Sequence, residues 1–304
     1  MVEHTTVKDI AQLREIWRLC FPNEDIRYTD YFFKKIFKPE YGLAYKENQT
    51  AVSCLCKIPH DIMLNGIILR ASMIVGVATL PKYRNRGYMH RMMDICLDGA
   101  SHSELVTLIQ AYNPSLYEQF GFQMVYYRQF YELTRDNIER ITNEGCAFNP
   151  SVNDMFKVYS LFVKRFNGFY IRDYDYFNNY IEEIKSQGGK IVAYYDEYGL
   201  IQGYATLLLD KQTIKIEECI YLNSVALYKL LNVALQQRHT AYLHVSANED
   251  LSILLKGAKA SRYGFTMARI NDYELFNRLY GSKVNNVIDA FKLGNKPLYM
   301  NEFA

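Results

Sequence analysis

The stretch VATLPKYRNRGYMHRMM, residues 77–93, constrains the fold more than any other part of this chain. It begins as an apolar β-type run and ends with apolar residues at helical spacing, which predicts a helix from Arg86 to Ala100. A helix start offers unpaired backbone N–H groups and the positive end of the helix dipole. Gly87 leaves that backbone accessible, and Arg84 and Arg86 add positive charge. The stretch therefore predicts a strand-to-helix corner that binds an anion such as pyrophosphate.

The rest of residues 1–135 alternates helices and strands around this corner. An amphipathic helix after Thr6 and an aromatic helix from Tyr28 to Phe37 precede two hairpins, the second of which turns at Asn65-Gly66. The strand ELVTLIQAY and a short helix opened by Asn113-Pro114 follow. We expect an α+β unit built on a mixed sheet.

The second half repeats this plan weakly. A hairpin, a strand that enters a helix, and another strand recur, so we expect two tandem units, at residues 1–135 and 150–268. The corner of the second unit reads LNSVALYKLL, without arginine or glycine, and should bind no pyrophosphate. Residues 269–304 are expected to add one or two short helices and an apolar tail that docks on the protein.

Composition excludes several classes of protein. The net charge of +2 leaves no basic surplus for nucleic acid, and no apolar run approaches the roughly 20 residues that span a bilayer. The N-terminus is polar, unlike a signal peptide. Six cysteines lie in apolar stretches, and the Cys54–Cys56 pair lacks further ligands for a metal. We expect buried free thiols, no metal site and a cytoplasmic protein.

The residues of the corner, with NPSLYEQFGF one strand later, resemble the GCN5-related N-acetyltransferase (GNAT) superfamily. The acetyl-CoA motif Q/R-x-x-G-x-G/A matches residues 84–89, except that Met89 replaces the final small residue, and Y-x-x-x-G-F matches residues 117–122. The resemblance implies acetyl-CoA as cosubstrate, held in a gap between two parallel strands. The residues it implies for binding are Val77, Ala78 and Thr79 for the pantetheine arm, Arg84, Asn85, Arg86, Gly87, Tyr88, Met89 and His90 for the pyrophosphate corner, and Tyr112 and Asn113 across the gap.

A narrower resemblance is to the enhanced-intracellular-survival (Eis) type of acetyltransferase. That group has an active first unit, a degenerate second unit and a sterol-carrier-like domain, and its members also lack the final small residue of the motif. Only about 35 residues follow the segment MARI here. The expectation is a third domain at 269–304 reduced to a remnant.

The resemblance also implies catalytic roles. Tyr117 would donate a proton to the leaving thiolate. The carboxylate of Ala304 would act as the base, with a docked tail of no chemical role as the open alternative. The acceptor pocket is expected at Phe21, Tyr28, Tyr31 and Phe32, where Glu24 and Asp25 could attract a cation; surface acids beside core aromatics are the other interpretation.

The predicted function is acetyl transfer to a primary amine, as in an aminoglycoside, a polyamine or a lysine side chain. Two alternatives stay open, a non-catalytic acyl-CoA sensor and a scaffold with two degenerate units. The near-neutral charge argues against aminoacyl transfer from tRNA. The expected partner is the amine substrate, without nucleic acid or membrane, and a homo-oligomer is compatible with the sequence.

Overall fold

The computed structural model describes residues 1–302. The chain forms two compact units. Among the described residues, unit 1 contains Met1–Val125, Phe265–Gly294 and Glu302, and unit 2 contains Tyr126–Gly264 and Asn295–Asn301.

The strands and helices alternate along the chain. The strands are β1 Val2–His4, β2 Gly42–Glu47, β3 Thr50–Leu64, β4 Ile67–Thr79, β5 Val106–Ile109, β6 Gln123–Leu133, β7 Cys146–Phe148, β8 Phe169–Tyr170, β9 Lys190–Tyr195, β10 Ile201–Leu209, β11 Thr213–Tyr221, β12 Thr240–Ser246 and β13 Ala260–Ile270. The α-helices are α1 Ile10–Cys20, α2 Ile26–Tyr31, α3 Tyr88–Ser101, α4 Ser115–Glu118, α5 Val152–Phe162, α6 Tyr174–Ser186, α7 Ser224–Gln237, α8 Tyr273–Tyr280 and α9 Val287–Phe291.

Each unit is built on strands in a mixed arrangement. In unit 1 the strand order is β1-β2-β3-β4-β5-β13, and only the β4–β5 pair is parallel, with α3 as its crossover. In unit 2 the order is β6-β12-β11-β10-β9-β7, and only β11–β12 is parallel, with α7 as its crossover. The expected α+β class is confirmed, and both units follow one plan.

The predicted second hairpin of unit 1 is confirmed. Asn65 and Gly66 both have positive φ, 47° and 82°, as a tight turn between β3 and β4 requires. The predicted helix after the corner is also confirmed, but it begins at Tyr88 and not at Arg86. Asn85 and Gly87 hold left-handed backbone, at φ 61° and 76°, which delays the first helical residue.

Two other helices differ from the prediction. The aromatic helix is α-helical only to Tyr31 and then continues as a π-helical turn over Phe32–Ile36. In the short helix α4, Asn113 does not cap the backbone with its side chain; its Oδ1 accepts from Ser115 Oγ at 2.8 Å instead. Gly121 follows that helix at φ 83°, a left-handed conformation that glycine commonly adopts after a helix.

The cysteines are free thiols, as expected. Burial raises the pKa of Cys54, Cys56 and Cys96, to about 12 for Cys96, so these thiols stay protonated. Within residues 1–302 no helix has the length and apolarity to cross a bilayer, and no three His, Cys, Asp or Glu side chains group in a way that could hold a metal ion.

Candidate active site

A gap opens in unit 1 where β4 and β5 separate. Their parallel ladder ends at the pair Ile74↔Ile109, although β4 continues to Thr79. A cavity of about 420 Å³ lies at this gap. Its walls come from α1 and the loop and helix after it, from β4, and from the chain after β5: Trp17, Phe21, Glu24, Tyr28, Ile74, Val75, Gly76, Val77, Gln110, Ala111, Tyr112, Asn113, Leu116, Tyr117 and, from β13, Phe265.

A β-bulge lies in β4 where the gap begins. Cys54 pairs with Ala78 and Cys56 pairs with Val75, so two residues of β4 stand opposite one residue of β3. Gly76, one of the two, has φ +60°, and a Cβ there would lie 2.0 Å from the indole of Trp17. A bulge bends its strand and increases the local twist, which turns β4 away from its parallel neighbour. Sequence reasoning missed Gly76, although a glycine inside an apolar strand is a signal for a bulge.

The start of α3 presents unpaired N–H groups beside the gap. In the described part of the chain, no acceptor meets the backbone N–H groups from Asn85 to His90. No side chain caps this helix, and a Cβ on Gly87 would meet no atom within 4 Å. In unit 2, by contrast, the Asn223 side chain accepts from Ala226 N at the start of α7. The α3 corner therefore suits an anion, whereas a side chain already occupies the start of α7.

The two arginines of the corner lie at the surface. Arg84 Nε donates to Thr79 O at 3.1 Å, and Arg86 lies 3.8 Å from Glu47. The Tyr88 hydroxyl donates to the same Glu47 carboxylate, which holds the side chain at the corner. The backbone N–H of Tyr88 is among the unpaired N–H groups described above. Both guanidinium groups are exposed and can turn towards an anion bound at the helix start.

The other predicted corner residues take different positions. Met89 packs against the core of unit 1. His90 is exposed; its ring lies 4.8 Å from that of Phe120, and Nε2 is 3.6 Å from the Asp94 carboxylate. At this corner His90 therefore offers its backbone N–H together with an imidazole that a carboxylate already contacts.

The three residues predicted at the end of β4 have different environments. Val77 lines the cavity. The carbonyl of Ala78 accepts from Ser53 Oγ at 2.8 Å, and Thr79 Oγ1 lies 2.7 Å from the same hydroxyl. Ala78 and Thr79 therefore make contacts on the β3 side of the strand, and Val77 faces the gap.

Tyr117 lies inside the cavity and is 8% exposed. Burial raises the pKa of its phenol to about 12, so the group keeps its proton at ordinary pH. Among residues 1–302 nothing forms a hydrogen bond with its hydroxyl. The site thus holds a protonated phenol that is available to a ligand.

Tyr112 and Asn113 lie where the chain leaves β5, and both line the cavity. Tyr112 is 83% exposed, and its hydroxyl donates to Glu24 Oε1 at 2.7 Å. The hydrogen bond to this carboxylate raises the pKa of Tyr112 to about 12. The Tyr112 ring lies along that of Phe21, with centroids 6.2 Å apart, so these side chains form the mouth of the cavity.

Comparison with known proteins identifies this arrangement. Residues 2–125 match the family model described as acetyltransferase (GNAT) domain. The chain carries a GNAT acetyltransferase domain. This domain is therefore assigned to the acyltransferases, and the GNAT fold implies the use of acetyl-CoA.

Solved structures share the fold over most of the chain. A protein of unknown function from Enterococcus faecalis, described as a probable N-acyltransferase, has a TM-score of 0.76 and 17% identity over 91% of this chain and 74% of its own. A GCN5-related N-acetyltransferase from Anabaena variabilis has a TM-score of 0.75 and 17% identity over 90% and 73%. Eis1 from Mycobacterium abscessus has a TM-score of 0.69 and 12% identity over 91% and 75%. No curated protein matches the sequence.

The GNAT domain brings together only part of the predicted acceptor pocket. Phe21, Glu24 and Tyr28 line the cavity. Tyr31 and Phe32 are buried in the core instead, at 7% and 1% exposure, and the Phe32 ring stacks on Trp17 with centroids 4.5 Å apart.

The two predicted acids have different environments. Asp25 caps α2 and pairs with Arg27 at 2.6 Å, so its charge is already compensated. Of the described residues that line the cavity, Glu24 alone carries a charge, and no cationic side chain within residues 1–302 pairs with it. The mouth of the GNAT domain is therefore locally negative.

Residues 299–302 of the tail are buried. Glu302 is 6% exposed, and its carbonyl accepts from Gln110 Nε2 at 2.5 Å in unit 1. The predicted base, Ala304, lies outside the described residues and stays a prediction. Gln110, which the sequence analysis did not single out, lines the cavity.

In unit 2 the corresponding strand gap is filled by the protein itself. The β11–β12 ladder ends at Ile216↔Leu243, and the next carbonyl, that of Glu217, accepts from Arg128 at 2.8 Å and from Asn301 at 3.3 Å. The backbone edge past the ladder is thus hydrogen-bonded to the protein's own side chains.

Proposed function

We propose that the GNAT domain transfers an acetyl group from acetyl-CoA to a primary amine. One observation carries the proposal: β4 borders the strand gap and leads along the chain into a helix start with unpaired N–H groups, and Tyr117 lines the cavity at the same gap. The N–H groups from Asn85 to His90 would hold the pyrophosphate, and Val77 would lie along the pantetheine arm. The thioester supplies an activated acetyl group.

The chain's own residues would assist the bond changes. The amine nitrogen forms a C–N bond as the C–S bond breaks, so the nitrogen must lose a proton and the sulfur must gain one. Tyr117 supplies the proton to sulfur, since its phenol stays protonated below a pKa of about 12. The carboxylate of Ala304 is the base that we propose for the nitrogen.

The charge at the mouth supports an amine as the acceptor. Glu24 places one uncompensated carboxylate beside the aromatic rings of Phe21, Tyr28 and Tyr112. A carboxylate flanked by aromatic faces favours a cation. The amine of an aminoglycoside, a polyamine or a lysine side chain fits this chemistry.

We propose that unit 2 is a degenerate copy of unit 1. This proposal keeps the predicted division of the chain into segments 1–135, 150–268 and 269–304. Asn223 caps its helix start, and Arg128 and Asn301 bond the backbone past its ladder. These contacts take the two positions that an acyl-CoA would need. On this proposal the only coenzyme binding expected is to unit 1.

The test is calorimetry with acetyl-CoA combined with a thiol-release assay on a panel of primary amines. Gly87→Glu places a carboxylate at the corner without a steric clash, and Gly66→Glu is the matched control, because both glycines have positive φ and open space for a Cβ. We expect at least about tenfold weaker binding for Gly87→Glu only, from like-charge repulsion near the pyrophosphate. Equal affinity in both variants would refute the site. Binding without thiol release from any amine would favour a sensor, and absence of binding would favour a scaffold.

A further inference from the structure

The carboxamide of Gln110 connects three segments at the wall of the cavity. Gln110 is the first residue after the β4–β5 ladder. Its Nε2 donates to Thr266 Oγ1 of β13 at 3.1 Å and to the carbonyl of Glu302 in the tail at 2.5 Å. Because a carbonyl oxygen only accepts, nitrogen must face Glu302, and the two contacts use both N–H groups of the amide.

These contacts are partly buried. Thr266 is 0% exposed and Glu302 is 6% exposed, while Gln110 and Phe265, the neighbour of Thr266, both line the cavity with Tyr117. A buried carbonyl that loses its donor does not regain one from water without moving. The side chain of Gln110 therefore supports the backbone of the tail at Glu302.

We infer that Gln110 is a positioning residue for acetyl transfer, which fixes the tail backbone at Glu302 beside the cavity. The inference rests on the proposed function. A displacement of about 1 Å in an active-site wall can lower the rate roughly 100-fold. The residues proposed to bind the coenzyme pyrophosphate, Asn85 to His90, are not part of this wall. Loss of the hydrogen bond from Gln110 to Glu302 should thus lower kcat and leave the affinity for acetyl-CoA unchanged.

The chain offers a matched control at the other end of the same strand pair. The β5–β13 ladder runs from Val106↔Ile270 to Ile109↔Met267. Asn271 Nδ2 donates to Thr107 Oγ1 at 2.9 Å and to Glu104 O at 2.8 Å, so it ties the same two strands together away from the cavity. Asn271→Leu removes partly buried amide contacts from this strand pair, as Gln110→Met does, but it leaves the cavity wall in place.

The experiment uses the full chain and compares the wild type with Gln110→Met, Gln110→Asn and Asn271→Leu. The measurements are kcat and KM for an accepted amine, the Kd of acetyl-CoA, and hydrogen exchange of the peptide from residue 295 onward. For both Gln110 variants we expect kcat to fall about 10- to 100-fold, the Kd to stay within about twofold, and exchange at the tail to become faster. For Asn271→Leu we expect a lower Tm with kcat unchanged.

Two results would overturn the inference: unchanged exchange at the tail in both Gln110 variants, or an equal loss of kcat in the Gln110 and Asn271 variants. The second would mean that Gln110 only supports the strand pair. Failure of the proposed function is distinguishable, because the wild type would then release no thiol with any amine. Hydrogen exchange would still decide whether Gln110 holds the tail, and Gln110→Asn serves if Gln110→Met does not fold.

Discussion

Replacing Tyr117 with phenylalanine separates the proposed chemistry from the packing of the site. The substitution keeps the ring, which is 8% exposed and packs edge-on to Phe122 at 6.4 Å between centroids, and removes only the hydroxyl. Because no residue among 1–302 forms a hydrogen bond with that hydroxyl, its removal leaves no donor or acceptor without its partner. We therefore expect the free energy of unfolding to change by no more than about 0.5 kcal/mol.

The effect on the rate should be large by comparison. A positioned general acid contributes about 10²- to 10⁴-fold, which corresponds to roughly 3 to 5 kcal/mol of activation free energy. Burial raises the pKa of Tyr117 to about 12, so this group keeps its proton through the usual assay range. Deprotonation of Tyr117 should therefore not reduce the wild-type rate below about pH 10.

The assay is steady-state thiol release with saturating amine, together with calorimetric binding of acetyl-CoA. Tyr280→Phe is the control, since the Tyr280 hydroxyl donates to Leu64 O at 2.7 Å in the same unit, outside the cavity lining. That variant should lose about 1 kcal/mol of stability and keep its rate. If Tyr117→Phe binds acetyl-CoA normally and retains kcat within about threefold of wild type, Tyr117 is not the acid.

Three further predictions concern the acceptor, the bulge and pH. Glu24→Gln should raise the KM of a cationic amine about tenfold in steady-state assays, whereas Asp25→Asn, which keeps the helix cap and removes a charge already paired, should not. Gly76→Ala should lower the free energy of unfolding in urea by more than about 3 kcal/mol, because its Cβ would lie 2.0 Å from the Trp17 ring. Gly66→Ala is the control and should lower it by about 1 kcal/mol, because Gly66 has positive φ but open space for a Cβ. Burial lowers the pKa of His244 from 6.5 to about 4, so at this residue the unfolded chain takes up a proton before the folded one. His244→Gln should therefore gain about 2 kcal/mol of stability relative to wild type from about pH 7 to pH 5 in urea titrations, and the comparison between the two proteins separates this effect from the opposite one of Glu183, whose pKa burial raises to about 7.

Local sequence patterns were sufficient for much of the GNAT domain. The Asn65-Gly66 turn follows from residues that tolerate positive φ, and the strand-corner-helix around Gly87 follows from a change of hydrophobic period next to a glycine. The boundary of α3 was displaced by two residues because left-handed backbone at Asn85 and Gly87 is not visible as a periodicity. The π-helical turn over Phe32–Ile36, in which Phe32 is buried, was not predicted for the same reason, because hydrophobic periodicity does not reveal it.

Contacts between distant segments were not predictable in this way. The segment MARI lies in β13, but nothing in its residues indicates that Met267–Ile270 pairs with β5, far earlier in the chain. The requirement for glycine at position 76 likewise comes from the indole of Trp17, which α1 places against β4.

The sequence by itself determined the local chemistry: a helix start with free N–H groups, a tyrosine that precedes a Gly-Phe pair, and thiols in apolar strands. The tertiary structure alone decided which of these groups share a cavity, that Glu24 and not Asp25 faces it, and that Gln110 holds Glu302. The physical reason is that period, turn and cap preferences act over a few residues. A cavity wall, by contrast, is set by packing between segments separated by tens to hundreds of residues.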